Sequence, residues 1–502
     1  MTYRALPDTA ELPRALYTAE QVRGFDRIAI DRFGSTGLAL MERAGQAAFD
    51  LIRQRWPEAR RLVVLAGTGN NAGDGFVVAR LASEAGLAVE VLQLGERERL
   101  TGDALANALR WQQIGGAWAP FERLAPDLDL VVDAMFGTGL ERPVGGHWAA
   151  AIAAANAHRA PCIAIDVPSG LHADSGVILG SAIHAAVTIS FIGLKTGLFT
   201  ADGPDCAGEV VFAGLGVPAA VYASSVPSAR RIDWQKQSAL LAPRRRNAHK
   251  GHFGHVLVVG GNHGMGGAVR IAAEAALRSG SGLVSVATRE RHVASLLAAR
   301  PEVMVHAVED PQALQPLLRQ ASVVALGPGL GQDAWALGLW RAALESGRSL
   351  VVDADALRLL AAEPLRRDDW VLTPHPGEAA ALLSLCSAEV NAQRFETAVQ
   401  MQRRYGGSVV LKGVGSIVAS GGATPPALCS EGNPGMASGG MGDALTGVIA
   451  ALMAQGLALR DAAEGGVCLH AAAGDAAARV GGERGMLAGD LIGRLRGLVN
   501  RP

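Results

Sequence analysis

Short runs of Val, Ile, Leu and Ala without polar alternation recur along the chain, separated by Ala- and Leu-rich stretches of helical length. In the first half the runs fall at residues 62–66, 88–94, 128–134, 162–166 and 186–191. In the second half they fall at 255–259, 283–287, 323–326, 350–353, 370–372, 408–411 and 416–419. Continuous apolar runs of this length predict strands buried on both faces, as in parallel sheets covered by helices. Their alternation with helical stretches predicts an α/β architecture. Two helices have legible ends. Thr18 with Gln21 predicts a capping box for a helix over 19–33, and Gly34 a stop for it. A second helix is predicted over 268–278, closed by Ser279 and Gly280.

The pattern fails between residues 219 and 250, where Ser, Pro and clustered Arg replace the periodic apolar positions. A chain of 502 residues exceeds what one core usually organises. The junction is placed near 225–231, giving domains 1–225 and 230–502. No fixed-period repeat relates the halves, so fusion of two different units is expected. A net charge of -1 and only 5% aromatic residues speak against nucleic acid as a partner. Cys162, Cys206, Cys386, Cys429 and Cys468 form no CxxC pair, so free thiols in a reducing compartment are expected. The N-terminus carries acids and prolines where a signal peptide needs an apolar stretch, and no segment reaches membrane-spanning length. A cytoplasmic protein without a membrane partner is expected.

Two constellations carry chemistry. The first is GTGNNAGDG, residues 67–75, between a predicted strand and a helix expected to start near Phe76. Glycines in such a loop expose backbone N–H groups at a positive helix end, where phosphate binds. Two further strand ends read Asp133-Ala134-Met135-Phe136-Gly137-Thr138-Gly139-Leu140 and Asp166-Val167-Pro168-Ser169-Gly170. In doubly wound sheets the carboxyl ends of strands form the ligand crevice. Asp133 or Asp166 alone would be a loop cap; the set predicts a site.

GTGNNAGDGFVVAR, VVDAMFGTGLERPVGG and IDVPSGLHADSG resemble the NAD(P)H-hydrate epimerase family, the YjeF N-terminal type, over about 17–217. The resemblance implies a Rossmann-like three-layer α/β/α sandwich. It implies that Asn70, Asn71 and Asp74, with Gly137, Thr138, Gly139, Leu140, Glu141, Arg142 and Pro143, hold the dinucleotide. It implies that Asp166 lies beside the hydrated nicotinamide ring, and that Asn71, Asp133 and Ser169 ligate K+, which an all-oxygen set suits. Lys195 has two readings, a solvated surface lysine or a group facing the site. Ala72 stands where the family usually has Gly. Loss of the hydrate's hydroxyl leaves a cation stabilised by the ring nitrogen, and water can return on either face. Epimerisation therefore needs an acid/base, for which Asp166 is the candidate.

The second constellation is NPGMASGGMGDALTG, residues 433–447. Residues 439–442 would place bare N–H groups before a helix starting at Asp443, an anion hole beside a carboxylate base. Asp443 alone would read as a helix cap. A strand, a glycine loop and a helix also open this half at 255–268, without a GxxxxGK[ST] motif. GGMGDALTG resembles the ribokinase-like superfamily. GPGLG at 327–331, DADAL at 353–357, LTPHPGE at 372–378 and KGVGS at 412–416 occur in the order of ADP-dependent NAD(P)H-hydrate dehydratases, over about 246–497. The resemblance implies a ribokinase-like α/β domain in which Lys412, Gly413, Val414, Gly415, Ser416 and Gly442 bind the nucleotide. Gly331, His375 and Asp443 would bind the hydrate. Ser416 replaces a more usual Thr, and His470 is read as a packed helix histidine.

On this reading Asp443 takes the hydroxyl proton and ADP phosphorylates the oxygen. The ring nitrogen then expels phosphate, with Mg2+ neutralising developing charge. Small-molecule substrates (hydrated NADH or NADPH, and ADP) and a homo-oligomer are what the family implies. The rivals are a ribokinase-like vitamin or sugar kinase, which would leave a stable phosphorylated product, and an N-terminal half that binds nucleotide-like ligands without turnover.

Overall fold

The computed structural model describes residues 12–500. The first eleven residues, on which the absence of an apolar leader was read, lie outside it. The chain divides into two compact units, Met1–Arg230 and Arg231–Pro502. Among the described residues no helix is long and apolar enough to cross a membrane.

The first unit is built on a seven-stranded sheet in the order Trp118–Pro120, Ala88–Gln93, Arg61–Ala66, Leu130–Ala134, Cys162–Ile165, Val187–Phe191, Glu209–Ala213. All neighbours are parallel. Alternate residues of each strand feed different cores. Leu62, Val64 and Ala66 pack with Phe76, Val77 and the helices Gly37–Arg55 and Asn70–Glu84. Val63 and Leu65 pack with Ile152 and Ala155 of the helix Gly146–Ala157 on the other face. This is the expected three-layer sandwich, and it explains why the strands read as continuous apolar runs. The order reverses between Arg61–Ala66 and Leu130–Ala134, so the crevice opens where Gly67 and Asp133 lie. Apart from the sheet, Leu16 and Tyr17 pair parallel with Leu194 and Lys195.

The helix Ala19–Phe33 forms as its ends predict, with the Thr18–Gln21 capping box and a left-handed Gly34. Two other helix starts differ from expectation. The helix at GTGNNAGDG begins at Asn70, not near Phe76. Its glycines serve packing: a Cβ on Gly75 would sit 2.5 Å from the Ala134 Cβ, and one on Gly73 2.3 Å from the Met41 Sδ. The helix predicted from Asp443 begins at Met441, after a left-handed Gly440.

In the second unit seven strands run parallel in the order Met304–Ala307, Leu283–Thr288, His255–Val259, Val323–Leu326, Ser349–Val352, Trp370–Leu372, Ser408–Leu411. Ser416–Ser420 and Ala427–Cys429 continue it antiparallel. One face packs on Gly266–Arg278, Met441–Ala454, Leu459–Gly481 and Ala488–Leu498. The other packs on helices including Ala334–Glu345 and Arg394–Tyr405. The helix Met441–Ala454 lies close against Gly266–Arg278, because a Cβ on Gly447 would sit 2.0 Å from the Ala272 carbonyl oxygen. That contact fixes the end of the helix that carries Asp443.

Candidate active sites

In the first unit a cavity of about 520 Å³ opens at the strand ends. Asn70, Asn71, Asp74, Gly137, Thr138, Gly139, Leu140 and Asp166 line it. Glu141, Arg142 and Pro143 are exposed and outside that lining. Asp133 and Ser169 are buried and do not line it. They nevertheless connect to its wall. Asp133 accepts hydrogen bonds from Ser169 N at 2.7 Å, Ser169 Oγ at 2.6 Å and Met135 N at 3.2 Å. Ser169 Oγ accepts from Phe136 N at 2.8 Å, and Asn71 Nδ2 donates to Phe136 O at 2.9 Å. Asn71, Asp133 and Ser169 are thus linked through the Phe136 backbone. Burial pushes Asp133 up to about 6, against the Ser169 and Met135 hydrogen bonds.

Asp166 follows the strand Cys162–Ile165 with φ 69°, a left-handed conformation uncommon for a residue with a Cβ. Its Oδ1 accepts from Phe191 N at 3.1 Å and from Lys195 Nζ. Lys195 is fully buried, not a solvated surface lysine, and its Nζ also donates to Phe191 O at 3.0 Å and Ser190 Oγ at 3.3 Å. Asp74 is pushed well above its ordinary value by burial and by the charges of Asp166 and Asp26. Asp26, on the helix Ala19–Phe33, also lines the cavity. The sequence reading missed it, since an acid on an amphipathic helix reads as its solvated face.

The second unit gathers its groups around Asp353, which follows the strand Ser349–Val352. Lys412 Nζ donates to Asp353 Oδ1 at 2.7 Å, and Thr446 Oγ1 to Oδ2 at 2.7 Å. Burial works to raise Asp353, but the Lys412 ammonium and the Thr446 and Thr373 hydroxyls outweigh it and hold the acid below its ordinary value. Glu378 Oε2 lies 3.8 Å from Lys412 Nζ. Gly442 faces the same ammonium, since a Cβ there would sit 3.3 Å from Lys412 Nζ. Asp443, one residue on, is pushed up to about 7 by burial and the Asp353 charge, with Lys412 opposing. A carboxyl poised near neutrality at a helix start is suited to accept a proton.

Gly413, Val414 and Gly415 form the turn joining the antiparallel strands Ser408–Leu411 and Ser416–Ser420, exposed at Gly413 and Val414 and buried at Gly415. Ser416 Oγ donates to Gly413 O at 3.1 Å. Buried Arg394 braces the turn from below, donating to Lys412 O at 3.4 Å and Gly415 O at 3.3 Å. His375 caps the helix Pro376–Leu383, its Nδ1 accepting from Gly377 N at 3.0 Å and Glu378 N at 3.3 Å. Gly331 N donates to Asp355 Oδ2 at 2.8 Å. His470 is buried in Leu459–Gly481, and burial pushes it down to about 4.

Asp353 is nearly inaccessible, and Lys412 is the base bonded to it. Removing one partner of a buried pair typically costs about 3–5 kcal/mol. Lys412→Met is therefore expected to lower the denaturant midpoint of the second unit by that order. A shift equivalent to less than about 1 kcal/mol would show that the pair is not what holds these strands.

Two nucleotide-crevice folds, each with a carboxyl beside glycine-rich backbone, define a two-domain α/β enzyme. Comparison makes it specific. The family model described as YjeF-related protein N-terminus matches residues 37–197, and that of NAD(P)H-hydrate dehydratase matches 256–496. A bifunctional NAD(P)H-hydrate repair enzyme of Coxiella burnetii is 46% identical over 486 residues, 97% of this chain and 99% of the relative. One of Escherichia coli is 44% identical, covering 97% and 95%. A ribokinase-like superfamily protein from Enterococcus faecalis matches the fold with TM-score 0.51 and 30% identity, over 55% of this chain and 96% of its own. The chain belongs to the bifunctional NAD(P)H-hydrate repair enzymes.

Proposed function

We propose that the first unit interconverts the R and S hydrates of NADH and NADPH, and that the second dehydrates the S hydrate at the expense of ADP. The products are NAD(P)H, AMP and phosphate. The observation that carries the reading is the grouping of Asp443, Gly442 and Lys412 at one helix start, a base poised at about 7 beside a cation. Asp443 takes the proton from the hydrate hydroxyl. Gly442 and the 412–416 turn hold the nucleotide, with Lys412 countering phosphoryl charge. His375 and Gly331 position the hydrate. The oxygen takes the β-phosphoryl group of ADP, leaving AMP. Phosphate, a better leaving group than hydroxide, then departs as the ring nitrogen supplies electrons, and loss of the proton on the neighbouring ring carbon gives NAD(P)H.

Magnesium would be carried largely by the phosphates themselves. Asp353, Asp355, Glu378 and Asp443 give the site a surplus of acid around Lys412 that fits a divalent ion, with Asp355 the candidate protein ligand. In the first unit Asp133 is wholly buried, and no basic side chain contributes to its shift, so the Asn71, Asp133 and Ser169 oxygens fit a monovalent cation such as K+. There the cation would neutralise Asp133 and stiffen the 136–140 wall. In the cavity, Asn70, Asn71, Asp74 and residues 137–140 bind the dinucleotide, and the Asp166 carboxylate exchanges the proton of the hydroxyl on the hydrated carbon.

The test is a coupled assay on the whole chain in potassium buffer. Chemically hydrated NADPH, as mixed epimers, is given with ADP or ATP and magnesium, and reduced-nicotinamide absorbance is followed. Full recovery with ADP, faster than spontaneous epimerisation allows, is expected. A stop near the fraction of one epimer would remove the epimerase. A stable phosphorylated product would replace the dehydratase with a kinase.

A further inference from the structure

The epimerase cavity holds more carboxyls than the chemistry has used. Asp26, Asp74 and Asp166 all line it, with Lys195. Lys195 is committed to Asp166. Asp26 enters from a separate element. The helix Ala19–Phe33 presents Val22, Asp26 and Ile30 to the cavity, spaced four residues apart on one stripe. Two apolar neighbours thus flank the acid.

The helix is held where it is. Its start is pinned by the Thr18–Gln21 box and by Ala19 N donating to Asp174 Oδ1 at 2.6 Å. Phe25, next to Asp26, is buried against Tyr17 and Tyr222, with ring centroids at 4.9 and 5.4 Å. Arg23 Nη1 donates to Thr138 O at 3.0 Å, joining the helix to the 137–140 wall. Yet no hydrogen bond or ion pair reaches the Asp26 carboxyl among the described residues, and Lys195 and Asp166 act on it only through their charge. A rigidly placed acid without a structural partner, facing a cavity, is available to its occupant.

We propose that Asp26 is a second proton-carrying residue of the epimerase cavity, acting from the helix wall while Asp166 acts from the strand ends. This rests on reading the cavity as the epimerase site. Epimerisation requires water to leave one face of the ring and return to the other, so two carriers on different walls serve it where one cannot. Protonated Asp26 gives its proton to the hydroxyl; the C–O bond breaks with its electron pair on oxygen, releasing water. The ring nitrogen lone pair stabilises the resulting cation. Water then bonds to the other face and loses its proton to the Asp166 carboxylate. The reverse reaction begins with Asp166 protonated and Asp26 ionised, and exchange with solvent resets the pair.

The charges around Asp26 suit this division. Burial pushes it up to about 6, with Lys195 lowering it and Asp166 raising it. Asp74 approaches from the helix Asn70–Glu84, Tyr17 and Tyr222 lie beside it, and Arg23 and Asp103 complete the charged lining. An acid of this kind is protonated below about pH 6, so wild-type kcat for epimerisation, corrected for the spontaneous rate, should fall as pH rises through that value.

The test is Asp26→Asn in the full chain, with the dehydratase on pure S hydrate as the check of folding. The expected result is a loss of at least a hundredfold in epimerisation kcat, a near-unchanged KM, and disappearance of the pH limb near 6. Asp26→Glu should restore part of the rate together with the limb. A variant within twofold of wild type would overturn the inference, as would a slower variant that keeps the wild-type pH profile. Wild-type protein with no epimerisation above the spontaneous rate would instead remove the reading of the cavity itself, and the inference with it.

Discussion

Asp443→Asn is expected to lower dehydration of the S hydrate by a hundredfold to ten-thousandfold, the usual worth of a placed base, while epimerisation in the first unit continues. Asn keeps the size and helix position of the side chain but cannot accept the hydroxyl proton. Nucleotide affinity should change little, because Lys412, Gly442 and the 412–416 turn remain. The pH dependence gives an independent check. With Asp443 pushed up to about 7, the active ionised form is lost as pH falls, so wild-type turnover should drop below that value. In the variant the residual rate should lose this limb. Steady-state turnover on S hydrate with ADP, beside binding of ADP by calorimetry, separates the outcomes. If turnover falls only in proportion to a weakened ADP affinity, Asp443 is a structural helix residue and the base lies elsewhere.

What the sequence made legible follows from where its signals are local. The helix Ala19–Phe33 was readable because its capping box and glycine stop are short-range. The central strands were readable because burial on both faces makes them near-continuous apolar runs, with few polar residues such as Asp133, Thr188 and Ser285. Edge strands were not: Met304–Ala307 is exposed or half-buried throughout, and Trp118–Pro120 has three residues. Glu209–Ala213 went unread for a similar reason, being buried only at Val210 and Val211. The start of Asn70–Glu84 was misplaced because glycine in a nucleotide motif suggests loop, whereas Gly73 and Gly75 permit close packing inside a helix. Strand ends identified Asp133 and Asp166 through topology alone. Lys195 and Asp26 become meaningful only once the fold sets both in one cavity. A lysine reads as surface until its ammonium is found against Asp166, 29 positions away in the chain.

Asp166→Asn is the corresponding probe of the first unit. The position demands a residue that tolerates φ 69°, and Asn, with Asp, does so better than most other side chains. The amide oxygen can still accept from Phe191 N, so the wall keeps its shape. What is lost is the proton carrier and the charge facing Lys195, whose ammonium is then buried against neutral partners, Ser190 Oγ and Phe191 O. Epimerisation should fall by a hundredfold to ten-thousandfold, with dehydration of S hydrate unchanged. In the coupled assay, recovery would pause once the S form is consumed and then follow the spontaneous rate. Leaving Lys195 without its carboxylate should also destabilise the first unit, because breaking a buried pair exposes the cost of the remaining charge. The two effects are separable. Lys195→Met in the Asp166→Asn background should recover thermal stability but not epimerisation, since removing the stranded ammonium repairs folding and supplies no acid. Recovery of both would reduce Asp166 to a counter-charge for Lys195. An undiminished rate in the single variant would exclude it from the chemistry.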